Sequence, residues 1–132
     1  MALYTKCILE EKETSDGIRI SVMSRHTLND GVTLDTGITD SSYDEHYPEL
    51  APLPKLIGDY YKRGLHWEQF EILFREQIKN PSAQVILGDI AIRSLYENVT
   101  LMCIEKEPHF CHRRLLVEEC KRLLPEITVE HR

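Results

Sequence analysis

Short apolar segments separated by turn residues predict the strands of this chain. Residues 3–10 (LYTKCILE) and 18–24 (IRISVMS) are rich in strand-forming residues, and the turn sequence SDG precedes the second segment. Residues 99–104 (VTLMCI) form an almost continuous apolar run, which is typical of a strand covered on both faces. A short final strand is predicted at 126–130 (EITVE).

Apolar residues at helical spacing predict three helices, over 53–62, 67–79 and about 112–124. Gly64 follows the first of these helices and Pro125 stops the last. The apolar face of the second helix is expected to consist of Trp67, Phe70, Phe74 and Ile78. Each helix therefore has one face that can cover a sheet.

A further helix is predicted after the break at Asn80 and Pro81, with Ser82 as its capping residue. Its core-facing residues are expected to be Ile86, Ile90 and Leu95. Strands and helices thus alternate, with an apolar strand near the end of the chain. We predict an α/β fold with a mainly parallel central sheet flanked by helices.

The composition fits one compact domain spanning residues 1–132. Hydrophobic residues make up 42% of the chain, enough for one core of ordinary size. No apolar run approaches the roughly 20 residues of a membrane span, and the N-terminus lacks the basic and apolar regions of a secretory signal. The net charge of −6 argues against non-specific nucleic-acid binding. We expect a cytoplasmic protein without membrane association.

The chain has four cysteines, which in that compartment are expected to be reduced thiols. Cys7 and Cys120 fall on apolar faces of a predicted strand and a predicted helix, where a buried structural thiol is the simplest interpretation. Cys103 and Cys111 fall within a different kind of segment, because polar and charged residues surround them.

Residues 103–118 (CIEKEPHFCHRRLLVE) form a loop between a predicted strand and a predicted helix. Ligands of parallel sheets collect at such strand ends, and a helix N-terminus favours an anion. Arg113 and Arg114 oppose the helix dipole there, so a bound anion would explain them. The alternative is internal pairing with upstream glutamates or, for Arg114, with Glu118 at i, i+4 spacing.

Cys111 is a candidate nucleophile, since a thiol at a helix N-terminus beside histidine and arginine should have a lowered pKa. Cys103 could line the same pocket or belong to the core. The spacing of a phosphatase-like or sulfurtransferase-like loop is absent, because position 109 is histidine and Arg113 lies ten residues after Cys103. A redox pair between Cys103 and Cys111 is geometrically possible, although no C-x-x-C motif is present.

A zinc site is the other chemistry that these residues suggest. Its ligands would be Cys103, His109, Cys111 and His112. Their spacing does not match common structural zinc sites, and adjacent ligands are awkward. We therefore predict no metal site, and the sequence identifies no cofactor.

The same segment resembles the signature C-x-E-K-x-P-x-x-C-H-R of the domain of unknown function 488 (DUF488) family. The matching residues are Cys103, Glu105, Lys106, Pro108, Cys111, His112 and Arg113. The resemblance extends over residues 17–31 and 49–78, and so covers most of the chain. It implies a compact α/β fold and a shared site, but no substrate.

One position departs from the family pattern. Ser24 stands where related sequences often place an acidic residue before the strand-end arginine, so no acid is assigned a role there. Arg25 could reach the same pocket as Arg113, and His26 could join it or lie in a surface loop. The long segment 26–52 is expected to form a wall or lid of the site.

Our leading hypothesis is an enzyme that binds a small anionic ligand, such as a nucleotide or another phosphate compound. The predicted catalytic residues are Cys111, His112 and Glu105, and the predicted ligand-binding residues are Arg113, Arg25, Lys106 and Cys103. Cys111 would be nucleophile or polariser, and His112 or Glu105 would transfer protons. The alternatives are a non-catalytic binding or regulatory module, and a polar network that only fixes the loop to the helix.

Overall fold

The computed structural model describes residues 1–28 and 32–132 and has five strands and four α-helices. The strands are β1 (Leu3–Cys7), β2 (Ile18–Ser21), β3 (Glu45–His46), β4 (Val99–Cys103) and β5 (Val129–His131). The helices are α1 (Pro54–Lys62), α2 (Trp67–Gln77), α3 (Pro81–Tyr96) and α4 (His112–Leu123). Three strands come first and three helices follow, so the predicted alternation of strands and helices is found only from α3 onwards, where β4, α4 and β5 follow one another.

All strand pairs are parallel, and the sheet order is β3-β2-β4-β1-β5. Strand β4 lies in the centre, and each of its residues is buried. This burial explains its near-continuous apolar sequence, since both faces of a central parallel strand are covered. The predicted α/β fold with a parallel central sheet is therefore confirmed.

The start of β2 depends on a glycine. Gly17 has a positive φ of 64°, and a Cβ atom there would lie 1.9 Å from the backbone oxygen of Asn98. Only glycine fits this close approach, which lets the Ile18 amide donate to the same oxygen at 2.9 Å. The turn thereby sets the register of β2 against β4.

The helices bury the faces that the sequence indicates, with one exception in α3. Trp67, Phe70, Phe74 and Ile78 are all buried, as predicted. Leu95 was expected in the core but is 38% exposed, because the inward face of α3 is centred on Leu87, Ile90 and Ala91. The predicted cap Ser82 is also wrong: Asn80 is the N-cap residue, and its side chain accepts from the Ala83 amide at 3.0 Å.

Several strand boundaries differ from prediction. Strands β1 and β2 end three residues earlier than predicted, and β5 covers Val129–His131 instead of 126–130. After β1 and β2, the chain leaves the sheet to form the loops at its carboxyl edge. Apolar residues continue past the strand ends because loop residues such as Ile8 and Val22 remain buried. The apolar pattern reports burial there, not strand pairing.

The predicted loop 26–52 carries its own structure. It contains the short strand β3 and two 3₁₀ turns, Asp40–Ser42 and Pro48–Leu50. Residues 29–31 of this predicted loop lie outside the described residues. The segment packs along β2 through the pairs Ile20–Glu45 and Ser21–His46, so it adds an edge strand to the sheet.

Among the described residues, no helix combines the length and the apolar character that crossing a membrane requires.

Candidate functional site

The candidate site lies where the carboxyl ends of the central strands meet the start of α4. Cys103 is the last residue of β4, Cys111 is the N-cap residue of α4, and His112 is the first residue of that helix. The loop 104–110 leaves the sheet at Cys103 and returns the chain to Cys111. Residues eight positions apart in sequence therefore meet at one strand end.

Cys103, Cys111 and His112 form a buried cluster. Their Sγ, Sγ and Nδ1 atoms all lie within 4.8 Å of one another. The Nδ1 atom of His112 lies 3.7 Å from the sulfur of Cys103 and 4.0 Å from that of Cys111. The two thiols are only 5% and 2% exposed, so this cluster is shielded from bulk water.

A backbone contact determines the tautomer of His112. Its Nε2 atom lies 2.8 Å from the carbonyl oxygen of Val22, just beyond the end of β2. A carbonyl only accepts, so Nε2 carries the proton and donates. In the neutral ring Nδ1 then presents a lone pair to both thiols, which is the arrangement of a base that takes a thiol proton.

The two thiols have opposite pKa shifts. Burial raises the pKa of Cys111, but the Cys103 thiol, the His112 ring and the positive charge of Arg113 outweigh it and lower the pKa of Cys111 well below its ordinary value. Hydrogen bonding to Cys111, together with burial, raises the pKa of Cys103 well above its ordinary value. The hydrogen bond between the two sulfurs thus favours the thiolate at Cys111 and the protonated thiol at Cys103.

Arg113, the second residue of α4, is fully buried. Its guanidinium donates to the backbone oxygen of Glu105 at 2.6 Å and to that of Lys106 at 3.2 Å. Its Nε atom has no hydrogen-bond partner within residues 1–28 and 32–132. Arg113 therefore fastens the loop to α4 and at the same time places a positive charge near both thiols.

A pocket of about 140 Å³ opens beside the cluster. Cys103, His112, Arg25, Tyr61 and Phe70 are among its lining residues; Cys111 is not, but its sulfur lies within 4.8 Å of the Cys103 sulfur and the His112 ring nitrogen. The pocket wall belongs to the β2–β3 segment, α1, α2 and the 104–110 loop. Arg25 was expected to reach the same pocket as Arg113; it lines this pocket with Cys103 and His112, whereas Arg113 is not among the lining residues.

Glu105 lies at the edge of this site. Its carboxylate accepts a hydrogen bond of 2.6 Å from the hydroxyl of Tyr61. Burial, and then the interaction with Glu105, raises the pKa of Tyr61 above its ordinary value. Sequence reasoning missed Tyr61, because an aromatic residue on a surface helix gives no signal of its own.

Lys106 and His109 do not line this pocket. Both side chains are exposed, and Lys106 faces a different cleft together with Lys6 and Arg132. The ligand-binding role predicted for Lys106 therefore has no support from its position. The side chain of Arg114 pairs with Glu118 at 2.6 Å and with Glu71 at 2.9 Å, so the internal-pairing alternative describes this residue.

His26 lies behind β2 in a small aromatic group. It stacks on Tyr43 with ring centroids 4.8 Å apart, and its Nε2 atom is 2.7 Å from the Ser21 hydroxyl. His46 is half-buried in β3 and donates from Nε2 to the Met23 oxygen at 2.6 Å. Both histidines thus support the chain segment that carries Arg25.

Cys103, Cys111 and His112 are also the one group of histidine, cysteine and acidic side chains, in the described part of the chain, whose donor atoms are close enough to share a metal ion. Two sulfurs and an imidazole nitrogen are donors that zinc accepts, although structural zinc sites use four. His109 of the set considered from sequence is not part of this group.

Comparison with known proteins supports the resemblance read from the motif. A search of curated proteins and a search of solved structures each found no match. A family model described as the active DUF488-N3 subclade matches residues 3–122 of the chain. This match spans the sheet through β4, the 104–110 loop and nearly all of α4, and so includes every residue of the candidate site. The chain therefore belongs to the DUF488 family.

Proposed function

We propose that this protein is an intracellular enzyme that binds a small anionic ligand at the pocket beside Cys103 and acts on it through the thiolate of Cys111. The observation that carries the proposal is the cluster of Cys103, Cys111 and His112, whose reactive atoms lie within 4.8 Å of one another next to that pocket. Perturbed titratable groups that converge on a pocket are typical of catalytic sites.

His112 is the proposed base. Its Nδ1 atom accepts the proton of Cys111, because Nε2 is committed to the Val22 oxygen. The resulting imidazolium can return that proton to a leaving group. The positive charge of Arg113 favours the thiolate throughout, so Arg113 acts through Cys111 and through the loop carbonyls that it holds.

Arg25 is the proposed direct partner of the anion. It is exposed, and it lines the same pocket as His112. An arginine matches phosphate and carboxylate groups with paired donors. Glu105 and Tyr61, joined by their hydrogen bond at the pocket edge, are placed to contact polar groups of the ligand or to relay a proton.

The pocket size constrains the ligand. A volume of about 140 Å³ accommodates a phosphate or another small group, whereas a whole nucleotide would extend past Arg25 onto the surface. The reacting group is therefore the part that enters the pocket.

The intracellular location is supported by the four free, buried cysteines, which fit a reducing compartment.

A second candidate function is a non-catalytic binding or regulatory module in which the motif is structural. The observation that favours it is the environment of Arg113, which is fully buried and donates to two loop carbonyls. Under this alternative, the motif residues would hold the loop 104–110 in place, and the pocket would bind a ligand without converting it.

A thermal-shift screen against phosphate, sulfate, nucleotides and sugar phosphates tests the binding proposal. A ligand that binds only the folded state raises the melting temperature. We expect at least one of these anions to stabilise the native protein and Arg122→Gln, a control at an exposed arginine near the far end of α4, but not Arg25→Gln. No stabilisation by any of the anions, or equal stabilisation of Arg25→Gln, would contradict the proposed anion site.

The compounds that bind are then used to distinguish the enzyme hypothesis from the non-catalytic module. Each is incubated with native protein and with Cys111→Ser, and conversion is followed by nuclear magnetic resonance. The enzyme proposal predicts conversion by the native protein alone, with binding retained in Cys111→Ser. Binding without conversion by either protein would favour the non-catalytic module.

A further inference from the structure

The two thiols of the cluster are suited to react with each other. The sulfurs of Cys103 and Cys111 lie within 4.8 Å, and the loop between them brings a strand end onto a helix start without any other element in between. The other two cysteines have different partners: Cys7 donates to the Ile104 oxygen and Cys120 to the Leu87 oxygen. Cys7 lies beside Cys103 in the register of β1 and β4 but is not part of the cluster, so Cys103 and Cys111 are the two thiols that the cluster holds together.

We propose that Cys103 and Cys111 are a redox-active pair that small peroxides convert into a disulfide. The disulfide itself depends only on the geometry of the pair. The further consequence, loss of enzymatic activity on oxidation, rests on the proposed function, because oxidation would consume the proposed nucleophile.

The chemistry needs one equivalent of peroxide. The thiolate of Cys111 attacks one peroxide oxygen, the O–O bond breaks, and the proton held on His112 goes to the departing oxygen to give water. Cys111 is left as a sulfenic acid. The sulfur of Cys103 then attacks the sulfur of Cys111, and the S–O bond breaks as the S–S bond forms. The Cys103 proton leaves with the hydroxyl as a second water. Two thiols lose two electrons, and hydrogen peroxide gains them.

His112 and Arg113 assist both steps. Nδ1 of His112 lies near both sulfurs, at 3.7 and 4.0 Å, so it can take the Cys103 proton in the second step as well as supply a proton in the first. The Arg113 charge favours the thiolate that attacks. The neighbouring sulfur also protects Cys111 from further oxidation, since a disulfide forms before a second peroxide reacts.

The pocket selects the oxidant by size. The two thiols are 5% and 2% exposed, and the pocket beside Cys103 has a volume of about 140 Å³. Hydrogen peroxide enters such a space, whereas a tripeptide disulfide such as oxidised glutathione cannot bring its sulfurs to a buried thiol. We therefore expect oxidation by hydrogen peroxide and no mixed disulfide with glutathione at Cys103 or Cys111.

The test uses the native, reduced protein after treatment with a chelator, so that no metal occupies the cluster. The protein is exposed to hydrogen peroxide or to oxidised glutathione, unfolded under acid, and its free thiols are alkylated and mapped by mass spectrometry. We expect hydrogen peroxide to lower the number of free thiols from four to two, with a disulfide between Cys103 and Cys111. Oxidised glutathione should leave all four free.

Two variants identify the attacking sulfur. Cys103→Ser should accumulate a sulfenic acid at Cys111 that a dimedone probe traps, and Cys111→Ser should give no trapped adduct. The variant Cys7→Ala with Cys120→Ala should still form the disulfide, as the matched control. A native protein that keeps four thiols in peroxide, or one in which Cys7 or Cys120 is oxidised as fast as Cys111, would overturn the proposal.

The redox proposal and the enzyme proposal fail separately. Disulfide formation is read from the mass of the linked peptide, whatever the ligand screen finds. If the disulfide forms but no anion binds the native protein, the redox pair stands and the enzyme proposal falls.

Discussion

The ring of His112 links three groups of the site through its two nitrogens. Nε2 donates to the Val22 oxygen and Nδ1 faces the sulfurs of Cys103 and Cys111. Phe74 packs edge-on against the ring with centroids 5.5 Å apart, which fixes its plane. The orientation of the His112 ring therefore places the basic Nδ1 atom next to the two thiols.

Replacing His112 should change the acidity of Cys111. We expect His112→Gln to raise the pKa of Cys111 toward its ordinary value, because the variant loses both the hydrogen bond and the charge of the ring. At a pH below the pKa, each pKa unit of that increase lowers the fraction of Cys111 present as thiolate about tenfold. The thiolate absorbance in the ultraviolet, followed against pH, measures this change.

His109→Gln is the matched control, since it replaces an exposed histidine three residues earlier. Its titration curve should coincide with that of the native protein. Coincidence of the His112→Gln curve as well would show that His112 does not influence the thiol.

At the scale of elements, the α3 helix shows what a sequence pattern determines and what it leaves open. Pro81 at the first position and the apolar repeat predict the helix and its approximate start. Both Asn80 and Ser82 are residues that cap helices, and the sequence prediction took Ser82, although Pro81 is favoured at the first helical position and so points to Asn80. The choice follows from the Asn80 backbone, which is extended, whereas Ser82 is already within the helix.

Removing the true cap should weaken the fold. We expect Asn80→Ala to lower the free energy of unfolding by about 0.5–2 kcal/mol, because the Ala83 amide loses its acceptor. Urea denaturation followed by circular dichroism measures the difference. Ser82→Ala, at the exposed position that the sequence favoured, should change it by less than about 0.5 kcal/mol; the reverse ranking would show that the cap is misassigned.

The site itself was predictable in part. The cysteines, His112 and Arg113 could be identified because they are concentrated between an apolar strand and an amphipathic helix, where parallel sheets place ligands. The hydrogen-bond partners of Arg113 could not be identified from the sequence, because they are backbone oxygens, which every residue has. The positions of Tyr61 and Lys106 also depend on how the loop folds, which the local pattern does not encode.

At the scale of the whole molecule, a buried ionic group joins the two ends of the chain. Asp16 is 1% exposed; it accepts from Lys6 at 3.0 Å and from Arg132 at 3.0 Å. The Arg132 guanidinium also lies 3.7 Å from the centroid of the Tyr4 ring. The turn before β2, strand β1 and the residue after β5 are thus held together at one carboxylate.

Disrupting this ionic group should lower the stability of the fold. We expect Asp16→Asn to lower the free energy of unfolding by about 3–5 kcal/mol, because Lys6 would remain as a buried charge with a weakened partner. Asp59→Asn is the control: its partners Lys55 and Arg63 are surface residues of one helical region, so its loss of stability should be much smaller than that of Asp16→Asn. Urea denaturation at neutral pH compares the two.

The same carboxylate predicts a pH dependence. Burial raises the pKa of Asp16, but hydrogen bonds from the Glu13 amide and Lys6 outweigh it and leave the pKa lowered. A lowered folded-state pKa contributes stability above the unfolded pKa of about 4, and this stability is lost as the pH falls through the folded-state value. On acidification below about pH 4, Asp16→Asn should therefore lose less stability than the native protein. Equal losses in both proteins would exclude this role.

The most direct test of a Cys111 thiolate is the alkylation rate of each of the four cysteines in the folded protein across a range of pH. Native protein is pulsed with iodoacetamide, and each cysteine is quantified by mass spectrometry. We predict that Cys111 reacts much faster than Cys7 and Cys120 at neutral pH, and that its rate changes little until the pH falls well below the ordinary thiol pKa. Uniformly slow reaction of all four, with rates that rise together only in alkali, would contradict a Cys111 thiolate and with it the proposed enzyme.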